Sequence, residues 1–268
     1  MLKDITLGQY FPGNSVIHKM DPRMKILLTL FYMVLLFCVN NFWGFLVVTL
    51  LMCFIIFVSK IPFKIVIKSI KPLLFIIVFT AVFNFFYGNG PAIFPDIKYL
   101  SWLTWDALEK AAFMIIRIVL LIVGTSFMTY TTSPIMLTDA IERLITPLKI
   151  FKVPVHDFAM MMTIALRFIP TLIDETEKII NAQKARGADF ETGNIIRRAK
   201  ALIPILIPLI FSAFKRAGEL ADAMECRCYN GGESRTRYKV YSFSLRDYIA
   251  LIVFILITAV IILLNVFF

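Results

Sequence analysis

The sequence predicts an all-α integral membrane protein with about five transmembrane helices and a cytoplasmic module of long helices between the fourth and the fifth. Hydrophobic residues make up 59% of the 268 positions, well above the ~45–50% that is typical of soluble domains. Several apolar stretches approach the length that a bilayer requires. The basic residues behind the net charge of +10 lie mostly between those stretches, and 17 of the 28 Lys and Arg are in residues 131–247. This distribution indicates membrane topology rather than nucleic-acid binding.

Five apolar stretches are the candidate membrane spans. The first two are close to the lower limit of about 17 residues for a spanning helix. Because only Asn40 and Asn41 separate them, they must form an antiparallel pair. The last stretch carries no charge and has 21 residues, which is enough to span. The five stretches are Met24–Val39, Phe42–Val58, Pro72–Tyr87, Ala107–Tyr130 and Tyr248–Phe268.

Arg117 lies deep inside the fourth stretch, some ten residues from its start. A charge within the membrane is costly and usually faces the protein interior or a polar partner. Arg117 could belong to a substrate or ion site, or it could form a structural pair, for example with Asn84. A lone arginine without an intramembrane carboxylate makes a poor transport path, so the structural interpretation is favoured.

The basic residues define the orientation. They are frequent before the first span, in 60–71 and in 131–247, and sparse at 40–41 and in 88–106. Cytoplasmic loops carry the excess of Lys and Arg, so the N-terminus and the module are predicted to be cytoplasmic and the C-terminus extracellular. The chain accordingly divides into 1–130 (N-terminal segment and spans one to four), 131–247 (cytoplasmic module) and 248–268 (final span).

Two further stretches in the module, Phe158–Ile173 and Ala201–Phe214, are apolar enough to be mistaken for spans. The second has 14 residues, fewer than the roughly 20 that a crossing needs, and it contains Pro204 and Pro208, which weaken a helix. Two extra crossings would preserve the orientation, so the charges alone do not exclude them. We interpret both as long helices at the inner membrane face, whose apolar surface needs a cover of lipid or partner protein.

Each of these two helical segments ends on an arginine among small residues. Arg186 and Arg227 lie 41 residues apart, at matching ends of matching elements. A cation suits the negative end of a helix, and Gly187 suits a left-handed helix stop. The two arginines are therefore either ordinary helix caps or rigid forks of donors that dock on a partner.

The sequence lacks the motifs of several enzyme classes. There is no G-x-x-x-x-G-K-[ST] phosphate loop, no H-E-x-x-H and no G-x-S-x-G. Asp174, Glu175 and Glu177 look like a solvated helix face, and Cys226 and Cys228 have no second ligand pair for zinc. No catalytic residue, cofactor or metal site is predicted.

Several motifs together resemble one family. The N-terminal segment 8–25 contains Gly-Gln-Tyr-Phe-Pro-Gly-Asn-Ser, then His18 and Asp-Pro-Arg-Met-Lys. Segments 167–170 and 182–187 read Arg-Phe-Ile-Pro and Ala-Gln-Lys-Ala-Arg-Gly. Over essentially the whole chain the sequence resembles the transmembrane T components (EcfT) of energy-coupling factor (ECF) transporters, which are related to the membrane subunit of cobalt uptake systems. The family's second Ala-Arg-Gly reads Cys226-Arg227-Cys228 here, so the arginine is kept and its small neighbours differ.

The resemblance implies a non-catalytic subunit of an ATP-driven importer in the prokaryotic cell membrane. Its partners would be two cytoplasmic ATP-binding subunits (EcfA and EcfA′ type), which hydrolyse ATP, and one membrane-embedded S component, which binds a vitamin or related micronutrient. Lipid surrounds the subunit, and no nucleic acid is involved. A membrane enzyme or a scaffold or channel that uses the cytoplasmic module stays open as an alternative.

The resemblance also assigns two sets of site residues. The set that would contact the ATP-binding subunits is Arg186, Arg227, Ala182, Ala185, Gly187 and Ala223. The set expected to contact the S component is Phe158, Met161, Met162, Phe168, Leu202, Leu206, Leu209 and Phe214.

Overall fold

The computed structural model describes residues 10–86, 105–152, 154–188, 190, 194–229, 231 and 242–267. Every regular element in these ranges is a helix, which confirms the all-α prediction. Two short 3₁₀ segments, Lys71–Leu73 and Thr146–Phe151, connect α3 to α4 and follow α6. The α-helices are α1 (Pro22–Cys38), α2 (Phe42–Ser59), α3 (Phe63–Ile70), α4 (Leu74–Phe86), α5 (Trp105–Thr131), α6 (Pro134–Ile145), α7 (Val155–Ala185), α8 (Ile195–Glu225) and α9 (Leu245–Phe267).

Within the described part of the chain, six stretches are long and apolar enough to cross a membrane. Four of them, in α2, α3–α4, α5 and α9, have mean hydropathy between 2.2 and 2.9. The other two, in α7 and α8, reach only 1.2 and 1.5. α1 has 17 residues, at the lower limit for a span. The protein is therefore a multi-pass membrane protein, and the lower hydropathy of α7 and α8 is compatible with a place at the membrane face.

One boundary differs from the sequence prediction. Residues 60–71 were expected to form a basic loop between spans, with Lys64, Lys68 and Lys71 on one helical face. In the structure α3 occupies most of this segment and begins a 21-residue apolar stretch, Phe63–Phe83. α3 is amphipathic, so its lysines do not prevent a helix from forming. Pro72 lacks a backbone N–H, which accounts for the 3₁₀ turn that separates α3 from α4.

Contacts divide the described residues into two compact units, one within 8–140 and 241–268 and the other within 141–240. The three-part division of the sequence analysis stays a prediction. In the first unit α1, α2, α5 and α9 enclose the apolar core, which includes Leu36, Val48, Phe45, Tyr130 and Ile261. Burial of such side chains contributes ~1.5–3 kcal/mol each in water-soluble proteins, whereas in a membrane close packing replaces much of that term.

Helices α1 and α5 pack closely at Gly124 of α5. A β-carbon at this position would lie 2.3 Å from Cε1 of Tyr32 on α1. The Tyr32 hydroxyl donates a hydrogen bond to the Leu120 carbonyl at 3.0 Å. The absence of a side chain at Gly124 therefore leaves room for the Tyr32 ring to pack directly against α5.

A polar network joins the segment before α1 to the start of α9. Asp21 caps α1 by accepting a hydrogen bond from the Arg23 N–H at 2.9 Å. The Asp21 N–H donates to Oδ1 of the buried Asp247 at 3.0 Å. Oδ2 of Asp247 accepts from the Ser244 N–H at 2.8 Å. Asp247 was not predicted from sequence, because nothing in the local sequence shows that its partner lies 226 residues away.

Lys25 joins the same region to the end of α5. Its ammonium group donates to the Thr131 carbonyl at 2.9 Å and to the His18 carbonyl at 3.3 Å. This buried lysine is satisfied by carbonyl oxygens at the end of a helix, where a cation is favoured. The N-terminal motif therefore has a structural role: Lys25 and Asp21 connect α1 to the end of α5 and the start of α9.

His18 is held within this turn. Its Nε2 lies 3.0 Å from the Phe11 carbonyl and its Nδ1 lies 2.7 Å from the Ser15 hydroxyl. A carbonyl can only accept, so Nε2 carries the proton and Nδ1 accepts from Ser15. Burial lowers the pKa of His18 below its ordinary value, against the opposing effect of the Phe11 carbonyl. These contacts give His18 a structural role.

Arg117 also has a structural partner. Its guanidinium donates to the Val39 carbonyl at 2.7 Å, at the C-terminal end of α1, and lies 5.5 Å from the centre of the Phe45 ring. The favourable position of a cation at a helix C-terminus explains this placement. The side chain of Asn84, which the sequence analysis offered as a partner, lies outside the described residues.

Candidate partner-binding site

Helices α7 and α8, each of 31 residues, pack as an antiparallel hairpin. Glu175 of α7 accepts a hydrogen bond from Ser212 and forms an ion pair with Arg216 at 2.8 Å. Further along α7, Gln183 contacts Pro204, so higher numbers on α7 meet lower numbers on α8. Glu175 was interpreted from sequence as part of a solvated face, which is wrong: it links the two helices. Its partners, 37 and 41 positions away, could not be identified from local spacing.

Gln183 compensates for a proline in the opposite helix. Pro208 has no backbone N–H, which leaves the carbonyl of Pro204, four residues earlier, without its helical partner. The side-chain amide of Gln183 donates to that carbonyl at 3.5 Å, which is a long hydrogen bond. Both prolines lie inside α8, so the helix continues through the positions that the sequence analysis expected to weaken it.

The C-terminus of α7 ends in a Schellman motif. Arg186 is the C-cap residue. The Gly187 N–H donates to the Lys184 carbonyl at 2.9 Å, and the Ala188 N–H donates to the Gln183 carbonyl at 3.0 Å. Gly187 has φ +86°, in the left-handed region where glycine is favoured. The predicted left-handed stop after Arg186 is confirmed.

The C-terminus of α8 repeats this geometry around Arg227. The Cys228 N–H donates to the Glu225 carbonyl at 2.8 Å, and the Tyr229 N–H donates to the Met224 carbonyl at 3.0 Å. Cys228 therefore occupies the position that glycine has after α7, and its φ is +56°. The substitution that separates Cys226-Arg227-Cys228 from Ala-Arg-Gly keeps the turn but places a side chain in a strained conformation.

The difference between Gly187 and Cys228 predicts opposite effects for a substitution at each of these positions. Gly187→Ala should destabilise the end of α7, and Cys228→Gly should stabilise the end of α8, each by about 1 kcal/mol, because a side chain in the left-handed region costs about that much. Amide hydrogen exchange of the last turn of each helix measures both effects. Slower exchange after Gly187→Ala, or faster exchange after Cys228→Gly, would contradict the assignment.

Both arginines are exposed, and so is the rest of the first set of site residues. No described residue forms an ion pair with the guanidinium of Arg186 or Arg227. Antiparallel packing places the arginines at opposite ends of the hairpin. Arg186 lies beside the Gln183–Pro204 contact, and Arg227 is 23 residues beyond Pro204, or about 35 Å along a helix. The remaining members of this exposed set are Ala182, Ala185, Gly187 and Ala223.

The end of the hairpin near Arg227 is joined back to the start of α7. The Tyr229 hydroxyl lies 2.9 Å from the sulfur of Met160. Tyr229 was not identified from sequence, since a tyrosine after a helix has no distinctive spacing. Cys226 and Cys228, on either side of Arg227, are both exposed in the chain by itself.

The second set of site residues lies on α7 and α8. Phe158, Met161 and Phe214 are exposed by 54%, 60% and 73%, so a large apolar surface is left without a cover by the rest of the described chain. Phe168 and Leu209 are partly buried. The other exposed members are Met162, Leu202 and Leu206.

Comparison with known proteins identifies the family. Residues 13–238 match the family described as CbiQ, cobalt transport protein. The energy-coupling factor transporter transmembrane protein EcfT of Ruminiclostridium cellulolyticum is 56% identical over 92% of both chains. The chain belongs to the EcfT family. The EcfT proteins of Clostridium kluyveri and Thermosediminibacter oceani are 54% and 50% identical, over 93% and 94% of both chains. The resemblance stated from sequence is thereby confirmed.

Membership of the EcfT family gives the site its context. EcfT proteins are transmembrane components of energy-coupling factor transporters, so this chain is a membrane subunit of a transporter. Partners that bind ATP and substrate are implied by that membership.

Proposed function

We propose that this chain is the coupling subunit of an ATP-driven importer, in which two cytoplasmic ATPase subunits each receive one arginine-capped helix end. A membrane-embedded S component supplies the substrate, a vitamin or related micronutrient. The observation that carries the proposal is the pair of Schellman caps with the same hydrogen-bond pattern, each presenting an exposed arginine, at the two ends of one hairpin.

The hairpin suits the transmission of motion between two partners. Its ends lie about 35 Å apart, so two separate subunits can dock without competing for one surface. The Glu175–Arg216 ion pair and the Gln183–Pro204 contact join the helices between those ends. Movement of one docked subunit is therefore passed to the other helix, and to whatever covers the apolar surface of the hairpin.

The function is tested by isolating the full chain from its native membrane with a tag and identifying the proteins retained. We expect two ATP-binding subunits and one small membrane protein, together with ATP hydrolysis that depends on the ATP-binding subunits. Metal-dependent hydrolysis by the purified chain alone would instead support the alternative of a membrane enzyme. Retention of neither partner would favour a scaffold unrelated to ATP.

The apolar surface of the hairpin is proposed to receive the S component. Methionine and aliphatic side chains suit a surface that must re-pack against a moving or exchangeable partner. Leu206→Asp, or Met162→Asp, should reduce S-component retention at least tenfold and leave the ATP-binding subunits attached. Quantitative mass spectrometry of the purified complex measures both, with Lys215→Asp at an exposed polar position as the control. Loss of the ATP-binding subunits with the S component retained would contradict this division.

The proposed orientation has five spans, with the N-terminus and the module inside and the C-terminus outside. The four native cysteines are exposed, so they are first replaced by serine. A single cysteine at Gly90 should then react with an impermeant maleimide added outside, and one at Gly231 only after the membrane is opened. Outside labelling at Gly231 would overturn the orientation, and outside labelling at Asp189 would establish the seven-span alternative.

A further inference from the structure

A narrow apolar groove of about 350 Å³ lies among α1, α2, α5 and α9 in the first compact unit. Each helix lines it over eight or nine residues, for example from Lys25 to Tyr32 on α1 and from Arg246 to Phe254 on α9. At 1.5 Å per residue this makes the groove about 10–12 Å long and parallel to the helices. Its volume is at the lower end of the ~300–1,000 Å³ of small-molecule sites.

The groove is open along one side, where apolar side chains are exposed. Ile249, Val253 and Phe54 line it and are exposed by 59%, 44% and 65%. At its far end the Tyr32 ring packs over Gly124, and its hydroxyl is already bonded to the Leu120 carbonyl. That end therefore offers an incoming molecule apolar contact.

The charged groups are confined to the other end. Arg246 and Lys25 line the groove where α9 and α1 begin, next to Thr131 at the end of α5. Lys25 donates to backbone and threonine oxygens, whereas no described residue pairs with the exposed Arg246. The nearby carboxylates of Asp21 and Asp247 are buried and accept internal hydrogen bonds.

We propose that this groove binds an anionic phospholipid. One acyl chain lies along the groove, and the phosphate sits at the mouth against Arg246. The groove is long enough for the part of an acyl chain nearest the headgroup, and its apolar lining and exposed side fit that part. The free guanidinium at one end fits a phosphate, since arginine is suited to bidentate phosphate binding. Under the proposed orientation this mouth lies at the cytoplasmic face of the membrane, where basic residues are expected.

The site is tested with the full chain in bilayer nanodiscs made mostly of phosphatidylcholine. The probe is phosphatidylglycerol with a diazirine in one acyl chain, and crosslinked residues are mapped by mass spectrometry. We expect crosslinks concentrated on the groove residues Ile249 and Val253 relative to Ile252 and Leu256, which are exposed on the same helix but do not line it. Equal labelling of the two pairs would overturn the proposal.

Variants separate the groove from general lipid contact. Ala250→Trp fills the groove and should abolish groove crosslinks, whereas the matched Ile252→Trp should leave them unchanged. Arg246→Glu should lower phosphatidylglycerol crosslinking about fivefold or more, because one basic group near the surface has about that effect on anionic lipid binding. Arg246→Lys should restore most of it. Unchanged crosslinking in Arg246→Glu, or equal loss in both tryptophan variants, would refute the proposed site.

Discussion

Arg186→Glu is expected to abolish ATP-dependent uptake while the chain inserts normally in the membrane. A guanidinium that docks in a groove on an ATP-binding subunit would meet a carboxylate there. Removing one partner of such a buried pair costs about 2–5 kcal/mol, because the remaining charge is stranded. Glutamate adds like-charge repulsion, so Arg186→Glu should be more severe than Arg186→Ala. Arg227→Glu should act in the same way through the other subunit.

Two controls separate docking from helix capping. Arg186→Lys keeps the favourable charge at the helix end but loses the rigid fork of donors, so a capping role predicts normal uptake and a docking role predicts a clear loss. Lys215→Glu makes the same charge change at an exposed position of α8 and should have little effect. A carboxylate-to-arginine change in the matching ATP-binding subunit should restore part of the activity of Arg186→Glu. Full activity of both glutamate variants, singly and together, would show that the two arginines act only as helix caps.

Gly124→Ala is expected to destabilise the membrane unit by about 1–3 kcal/mol, the usual cost of overpacking. The new methyl group would lie 2.3 Å from the Tyr32 ring, so the ring must move and its hydrogen bond to Leu120 is weakened. The matched control is Gly218→Ala in α8, where nothing lies within 4 Å of an added β-carbon. That change should be neutral or stabilising by up to about 1 kcal/mol, since alanine is the better helix former.

Thermal unfolding of both variants in detergent measures this difference. A double variant tests the cause: Tyr32→Ala removes the ring, so Gly124→Ala should cost much less in that background than in the native chain. Such non-additivity is expected for residues in contact. Equal changes for Gly124→Ala and Gly218→Ala, or full additivity with Tyr32→Ala, would contradict the packing described for α1 and α5.

Sequence patterns predicted the features that depend on local chemistry. Apolar length predicted helices at the positions of α1, α2, α4, α5 and α9, and Gly187 after an arginine identified the stop of α7. Cys228 shows the limit of this reasoning, because a cysteine gives no signal that its backbone is left-handed. The geometry there is set by the hydrogen bonds of the last turn of α8, which Tyr229 and Cys228 complete.

Long-range pairs were not predictable from sequence. Glu175 belongs to an acidic run that resembles a solvated face, yet Arg216 and Ser212 reach it because α7 and α8 are antiparallel. Arg117 resembles a mid-membrane charge when position is counted along α5 alone. Its surroundings are instead set by α1, because the C-terminal end of that helix, at Val39, lies beside the Arg117 guanidinium. Such placements depend on the relative offsets of helices, which a single sequence does not contain.

The most direct test of the coupling account places a photo-crosslinking amino acid at Ala182 and, separately, at Ala223. Both side chains are exposed, and each lies four residues before its arginine, so the arginines themselves are unchanged. In the assembled transporter, crosslinking from position 182 should capture one ATP-binding subunit, and crosslinking from position 223 should capture the other. Capture of the same subunit from both positions, or of neither subunit from either position, would contradict the account.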